Sequence, residues 1–268
     1  MKRPGQKMGP LETQFFAYVQ MREVTTVRTG EMAGVLGLSA DRERDLLRRL
    51  ARSGWIVRLR RGFYLVPPRI PAGGRWSPGE ALILDNLMED RGGKYQICGP
   101  NAFNFYGFDN QVPNRVFAYN NRISGKRTIG GISLTLIKVS DNRLGSIKTL
   151  KTSSGISMIY SSRARTLMDA VYDWSRFNGL PRAYEWIQSS VEKDPAIAVK
   201  LAKITTAFGN QGTLRRIGWI LQRYDAPVEA VDIIRKKIRR SSSLIPLIPG
   251  RRLKGGISRE WGLLINED

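Results

Sequence analysis

The sequence predicts an α+β chain in two parts, and three observations carry that prediction. At 268 residues, with roughly 150 residues to a typical domain, there is room for two cores. Residues 67–79 crowd Pro67, Pro68, Pro71, Gly73, Gly74, Pro78 and Gly79 together. That stretch resists regular structure and separates a domain over residues 1–72 from one over 79–268. Helical periodicity dominates before it and again toward the C-terminus, with β-branched runs between, the order of an α+β chain.

In the first part, Leu11 to Arg22 reads as a helix with Phe15, Phe16 and Val19 on one stripe. A second helix is expected over Thr29 to Leu36, capped by Thr29, and a third over Ala40 to Arg52, capped by Ser39. Ala33 and the Gly37-Leu38-Ser39 joint supply the small residue and the glycine that a helix-turn-helix crossing requires. Leu36, Leu38, Leu46, Leu47 and Leu50 are its expected core. Trp55 to Arg60 and Phe63 to Val66 then alternate as strands about an Arg61-Gly62 turn, which adds a wing. The unit therefore reads as a winged helix-turn-helix. Glu43 stands where such a motif ordinarily carries an apolar residue, so an ion pair with a nearby arginine or a looser helix start is expected.

The second part reads as a larger mixed α/β domain. Pro78 to Glu89 has the spacing of a helix. Val116 to Tyr119, Ile132 to Val139 and Ile156 to Tyr160 read as strands. Helices return over Arg163 to Trp174, Pro181 to Val191, Pro195 to Phe208, Thr213 to Tyr224 and Val228 to Arg240.

Charge decides the class of partner. With 44 Lys and Arg against 23 Asp and Glu the net charge is +21, far beyond what solubility needs and of the sign that seeks phosphate. The absence of histidine removes Ser-His-Asp, Cys-His and His-Glu-x-x-His chemistry. No Asp-x-Asp follows Gly145-Ser146, no Glu-x-Lys occurs, and there is no phosphate loop, so a binding protein without cofactor is expected rather than an enzyme. A single cysteine, Cys98, fits a reducing compartment. No apolar run reaches the roughly 20 residues of a membrane span, and Lys2-Arg3 is followed by Pro4-Gly5-Gln6 rather than a signal core, so a cytoplasmic location is expected.

Residues 42–61 hold eight arginines against Glu43 and Asp45. At 100° per residue the side of the third helix away from Leu46 and Leu50 gathers Asp41, Arg44, Asp45, Arg48 and Arg52. Arginine reads guanine through two hydrogen bonds, so Arg44 and Arg48 are candidates for base contacts in duplex DNA, while Arg42, Arg49, Arg58, Arg60 and Arg61 suit phosphate.

The segments MAGVLGLS, LLRRLARSGWIVRLRRGFYLVP, ICGPNAFNFYGFDNQVPNRVFAYNNR and YSSRARTLMDAVYD resemble the AbiEi antitoxins of AbiE toxin-antitoxin and abortive-infection systems. That resemblance implies a transcriptional repressor whose winged helix binds inverted repeats in its own promoter. It also implies a C-terminal domain that counters a nucleotidyltransferase toxin, commonly without a stable complex.

Two further sets of residues are candidates for the antitoxin surface. Arg163, Arg165 and Asp169 form the first; Arg165 and Asp169, four apart on a helix, can equally make a modest intrahelical pair. Arg235, Lys236, Lys237, Arg239 and Arg240 form the second, and continue to Arg251, Arg252 and Lys254 without an acid, as an expected basic loop or arm. Tyr95, Phe103, Phe105, Tyr106 and Phe108 are expected in the core. The competing readings are a sequence-indifferent nucleic-acid-binding protein and a nuclease.

Overall fold

A computed structural model describes residues 8–70, 75–151, 155–239 and 242–267. Packing divides the chain into one unit of Met1–Gly93 with Ser124–Leu136 and another of Lys94–Ile123 with Ile137–Asp268. The division thus falls beyond the Pro/Gly-rich stretch at residues 67–79.

In the first unit, α1 (Pro10–Met21) starts with proline at its first turn, where a missing N–H costs nothing. It is followed by β1 (Thr26–Arg28). Helix α2 (Ala40–Ser53) is capped by Ser39, whose hydroxyl accepts from the Arg42 N–H, and ends at Gly54 with φ +82°. β2 (Val57–Arg60) and β3 (Phe63–Leu65) form the expected hairpin about Gly62, and β1 pairs antiparallel on the far side of β3. β1 was not expected: three residues are too few for a period to show. Phe15, Phe16, Val19, Val27, Met32, Leu46, Leu47, Leu50 and Ile56 bury together, with Leu36 and Leu38 packed partly against them.

The helix expected over Thr29 to Leu36 is not formed; residues 29–37 run as successive turns, so Thr29 caps nothing. Gly30 takes φ +104° and Gly37 φ +62°, and Gly34 between them lowers helix propensity further. The N–H groups of Gly30 and Met32 are both accepted by the Glu43 carboxylate at 2.7 Å. This segment is therefore held by a side chain of α2 in place of its own helical ladder.

α3 (Glu80–Glu89) belongs to the first unit. β4 (Tyr95–Ile97), α4 (Pro100–Phe105) and β5 (Val116–Asn120) open the second. The hairpin of β6 (Gly125–Ile129) and β7 (Ile132–Lys138) turns at Gly130-Gly131, and its residues up to Leu136 count with the first unit. There the Ser77 hydroxyl donates to the Gly130 carbonyl at 3.0 Å.

The second unit continues with β8 (Ile147–Lys151) and β9 (Ser157–Ser161), so that β5, β4, β9 and β8 lie side by side in that order. α5 (Arg163–Tyr172), α6 (Trp174–Phe177), α7 (Arg182–Lys193), α8 (Ala196–Phe208), α9 (Gln211–Arg223) and α10 (Val228–Arg235) follow. Leu167, Met168, Ile187, Leu201, Ile217, Ile220 and Ile234 are among the residues of its core. β4, β6 and β8 show no strand pattern in the sequence, because Tyr95–Ile97 is short and the other two are largely polar and exposed.

The C-terminal stretch is folded where a loop or arm was expected. β10 (Ile245–Pro246), β11 (Gly256–Ser258) and β12 (Leu263–Ile265) form a small sheet in the order β10-β12-β11. Leu247, Ile248, Trp261 and Leu263 enter the core of the second unit. Trp261 lies directly on Gly218 of α9, where any Cβ would clash. The sparse apolar residues of this stretch are spaced by turns, so no period shows them to be core.

Candidate nucleic-acid interface

Helix α2 buries Glu43, Leu46, Leu47 and Leu50 on one side and leaves Arg42, Arg44, Arg48, Arg49 and Arg52 exposed. Arg58 and Arg61 of the hairpin are exposed as well, and Arg60 is half-buried. The partners sort these arginines. Arg44 pairs with Asp41 and Arg48 with Asp45 one turn away on the same helix, both pairs open to water and weak. Arg49 reaches Glu12 of α1 at 2.7 Å, which ties the two helices. Arg42, Arg52 and Arg61 meet no carboxylate among the described residues. At the end of α2 a cavity of about 590 Å³ opens, bordered by Arg52, Arg58, Arg75 and Trp76.

Arg60, expected on phosphate, is engaged elsewhere. Its guanidinium forks onto both oxygens of Asp90 at 2.6 and 2.8 Å, and Arg28 reaches the same carboxylate at 2.7 Å. Both arginines also lie over the Phe63 ring. The fork from Arg60 is the first cause that holds the Asp90 carboxyl down to about 2. Asp90 and Arg28 were not singled out in the sequence, since a lone acid after a helix and a lone arginine in a short strand give no spacing signal.

Glu43 answers the exception its position raised. It is neither ion-paired nor at a loose helix start: fully buried, it accepts two backbone N–H groups of the preceding turns. An apolar residue would fill the space and leave those donors unmet.

In the second unit the expected antitoxin strip separates. Arg165 and Asp169 are fully buried and form the intrahelical pair, with the Arg165 Nε 3.0 and 2.9 Å from the two carboxylate oxygens. Arg165 also donates to the carbonyls of Arg143 and Gly145, and its guanidinium lies over the Phe208 ring. Arg143 approaches Asp169 at 3.3 Å. Burial pushes the Asp169 carboxyl up, against the pull of Arg165 and Arg143. These groups fix the 143–145 turn to α5 and are not a surface. The two residues point inward because α5 is buried over nearly its whole length, which an i, i+4 pair in the sequence does not reveal. Arg163 is exposed.

Of the second set, Arg235 pairs with Asp232 and Glu260, while Lys236, Lys237 and Arg239 are exposed beyond the end of α10. Arg240 lies outside the described residues. Phe103 and Tyr95 are buried as expected, but Phe105 is 39% exposed and Tyr106 and Phe108 are only partly buried. Among the described residues no three acidic or cysteine side chains gather as a metal site, and no helix is long and apolar enough to cross a membrane.

Comparison with known proteins bears out the AbiEi resemblance for one segment. Residues 18–67 match the family described as "Transcriptional regulator, AbiEi antitoxin", which spans β1, α2 and the hairpin. The fold is similar to the crystal structure of the RV2827C protein from Mycobacterium tuberculosis, with a TM-score of 0.61 and 14% identity over 97% of this chain and 94% of that one. A search of curated proteins gave no match.

Proposed function

We propose that this protein is an antitoxin and transcriptional autorepressor whose N-terminal unit binds duplex DNA as a winged helix-turn-helix. The observation that carries the reading is α2: one side supplies core, and the other presents five exposed arginines inside the segment that matches AbiEi regulators. In this reading the duplex-reading surface lies within residues 1–72. Arg44 and Arg48 exchange their weak same-helix carboxylates for base edges in the major groove. Arg42, Arg52, Arg58 and Arg61 meet phosphate, and Arg49 and Arg60 position α2 and the wing through Glu12 and Asp90. One winged helix reads too few base pairs for selectivity in a genome, so the operator is an inverted repeat in the protein's own promoter, bound in pairs.

The antitoxin function, in the same proposal, lies after residue 79 and opposes a nucleotidyltransferase toxin without requiring a stable complex. Arg163, Lys236, Lys237 and Arg239 are its candidate surface, and Arg165, Asp169 and Arg235 support the fold around it. The protein acts in the cytoplasm by binding, with no catalytic residue or cofactor.

The test is binding to the promoter DNA and to unrelated duplex by fluorescence anisotropy. Arg44→Ala with Arg48→Ala is expected to lose preference for the promoter by about 1–3 kcal/mol per lost base pair contact. Arg42→Ala with Arg61→Ala is expected to weaken both duplexes alike and to reduce the salt slope by about 1 per lost phosphate contact. Equal losses on both duplexes from both variants would refute the division, and a protein that binds every duplex alike would favour the sequence-indifferent reading.

A further inference from the structure

We infer that the second unit carries a separate binding site for single-stranded nucleic acid, built on a row of aromatic rings flanked by cations. The row runs Tyr160, Phe105, Tyr106, Phe108, Trp186, with successive ring centroids 4.6, 4.8, 6.0 and 5.7 Å apart. It crosses β9, the end of α4 and α7, so the fold assembles it from parts of the chain more than 25 residues apart. Three cations accompany it. Lys148 of β8, the register partner of Tyr160, lies 5.6 Å from the Phe105 ring. Arg163 lies 4.7 Å from Phe108 and 5.9 Å from Tyr106, and Arg182 lies 5.3 Å from Trp186. Asp109, which borders the row, is occupied by Arg182 at 2.7 Å.

Packing alone does not account for this arrangement. A ring that served only the core would be covered, as Phe103 is, whereas Phe105 is 39% exposed. Its exposed surface gains nothing from folding and sits beside the exposed ammonium of Lys148, while the exposed Arg163 lies further along the row at Tyr106 and Phe108. The exposed part of Phe105 at the edge of the row, with cations at intervals along it, suits a strand whose bases are free to stack there and whose phosphates pass alongside. Duplex bases are already stacked inside their helix and cannot reach such rings without flipping out. The cations select nucleic acid over an uncharged peptide. None of these residues belongs to α2 or the wing, so the inference stands whether or not the duplex reading does.

The experiment titrates the full-length protein into fluorescein-labelled oligo(dT) and oligo(rU) of about a dozen nucleotides, with excess unlabelled duplex present to occupy the N-terminal unit. Saturable binding is expected to survive the duplex. Phe105→Ala should weaken it about tenfold, Phe105→Trp should retain it, and neither should change duplex binding. Arg163→Ala should lower the salt slope by about 0.7. Phe105→Leu, which keeps apolar volume but removes the stacking face, should behave as Phe105→Ala and provides the reading if the alanine variant fails to fold. Absence of single-strand binding, its displacement by duplex, or full affinity in Phe105→Leu would overturn the proposal.

Discussion

Glu43 shows how one side chain can stand in for a missing helix. Its carboxylate receives the Gly30 and Met32 N–H groups at 2.7 Å, and those residues lie in turns that have no helical ladder. Glu43→Leu restores the apolar residue that the motif's pattern favours, yet it is expected to destabilise by about 1–3 kcal/mol because two donors lose their acceptor. Urea unfolding checks this, and an unchanged or raised midpoint would contradict it. The same reasoning divides the α5 residues. Arg165→Met leaves Asp169 buried without its main partner, which costs about 3–5 kcal/mol, whereas exposed Arg163→Ala stays within about 0.5 kcal/mol of wild type. Both are read by thermal unfolding, and equal effects would mean that the burial of Arg165 carries no energetic weight.

Elements are held to one another by groups that their own sequences do not announce. Asp90, just after α3, joins Arg28 of β1 to Arg60 of β2. Its folded pKa of about 2 lies below the ordinary 3.8. The stability it supplies is therefore fully present above about pH 4 and is lost as pH falls toward 2, up to about 2 kcal/mol in all. Wild type should exceed Asp90→Asn in stability at pH 6, and the gap should narrow below pH 4; a gap constant down to pH 2 would show that the pairs contribute nothing. The C-terminal sheet is pinned in another way, by Trp261 lying on Gly218 of α9 at a distance where an added Cβ would meet the indole at 2.1 Å. Gly218→Ala should lift Trp261 and shift its fluorescence toward that of an exposed indole. An unchanged spectrum with an unchanged melting temperature would mean that α9 yields instead.

At the scale of the whole molecule, the first unit draws on residues 75–93 and 124–136 as well as on the segment that holds α1, α2 and the β2–β3 hairpin. A fragment of residues 1–72 lacks Asp90, so Arg28 and Arg60 lose their shared carboxylate. It is expected to unfold at lower urea than the N-terminal transition of the full chain, and a fragment of equal stability would show that the later residues are dispensable. Much was legible in the sequence. The α+β class, the polyanion-seeking charge, the cap and extent of α2, the Arg61-Gly62 hairpin and the AbiEi resemblance follow from local pattern or composition, because caps, turns and amphipathic periods act over a few residues. Three assignments required the tertiary structure: that 29–37 are turns fastened by Glu43, that Arg165 and Asp169 lie inside, and that Phe105 and its neighbouring rings reach the surface. Each depends on which distant segment covers a residue, and a side chain of given type and spacing is core or surface only once that covering is in place.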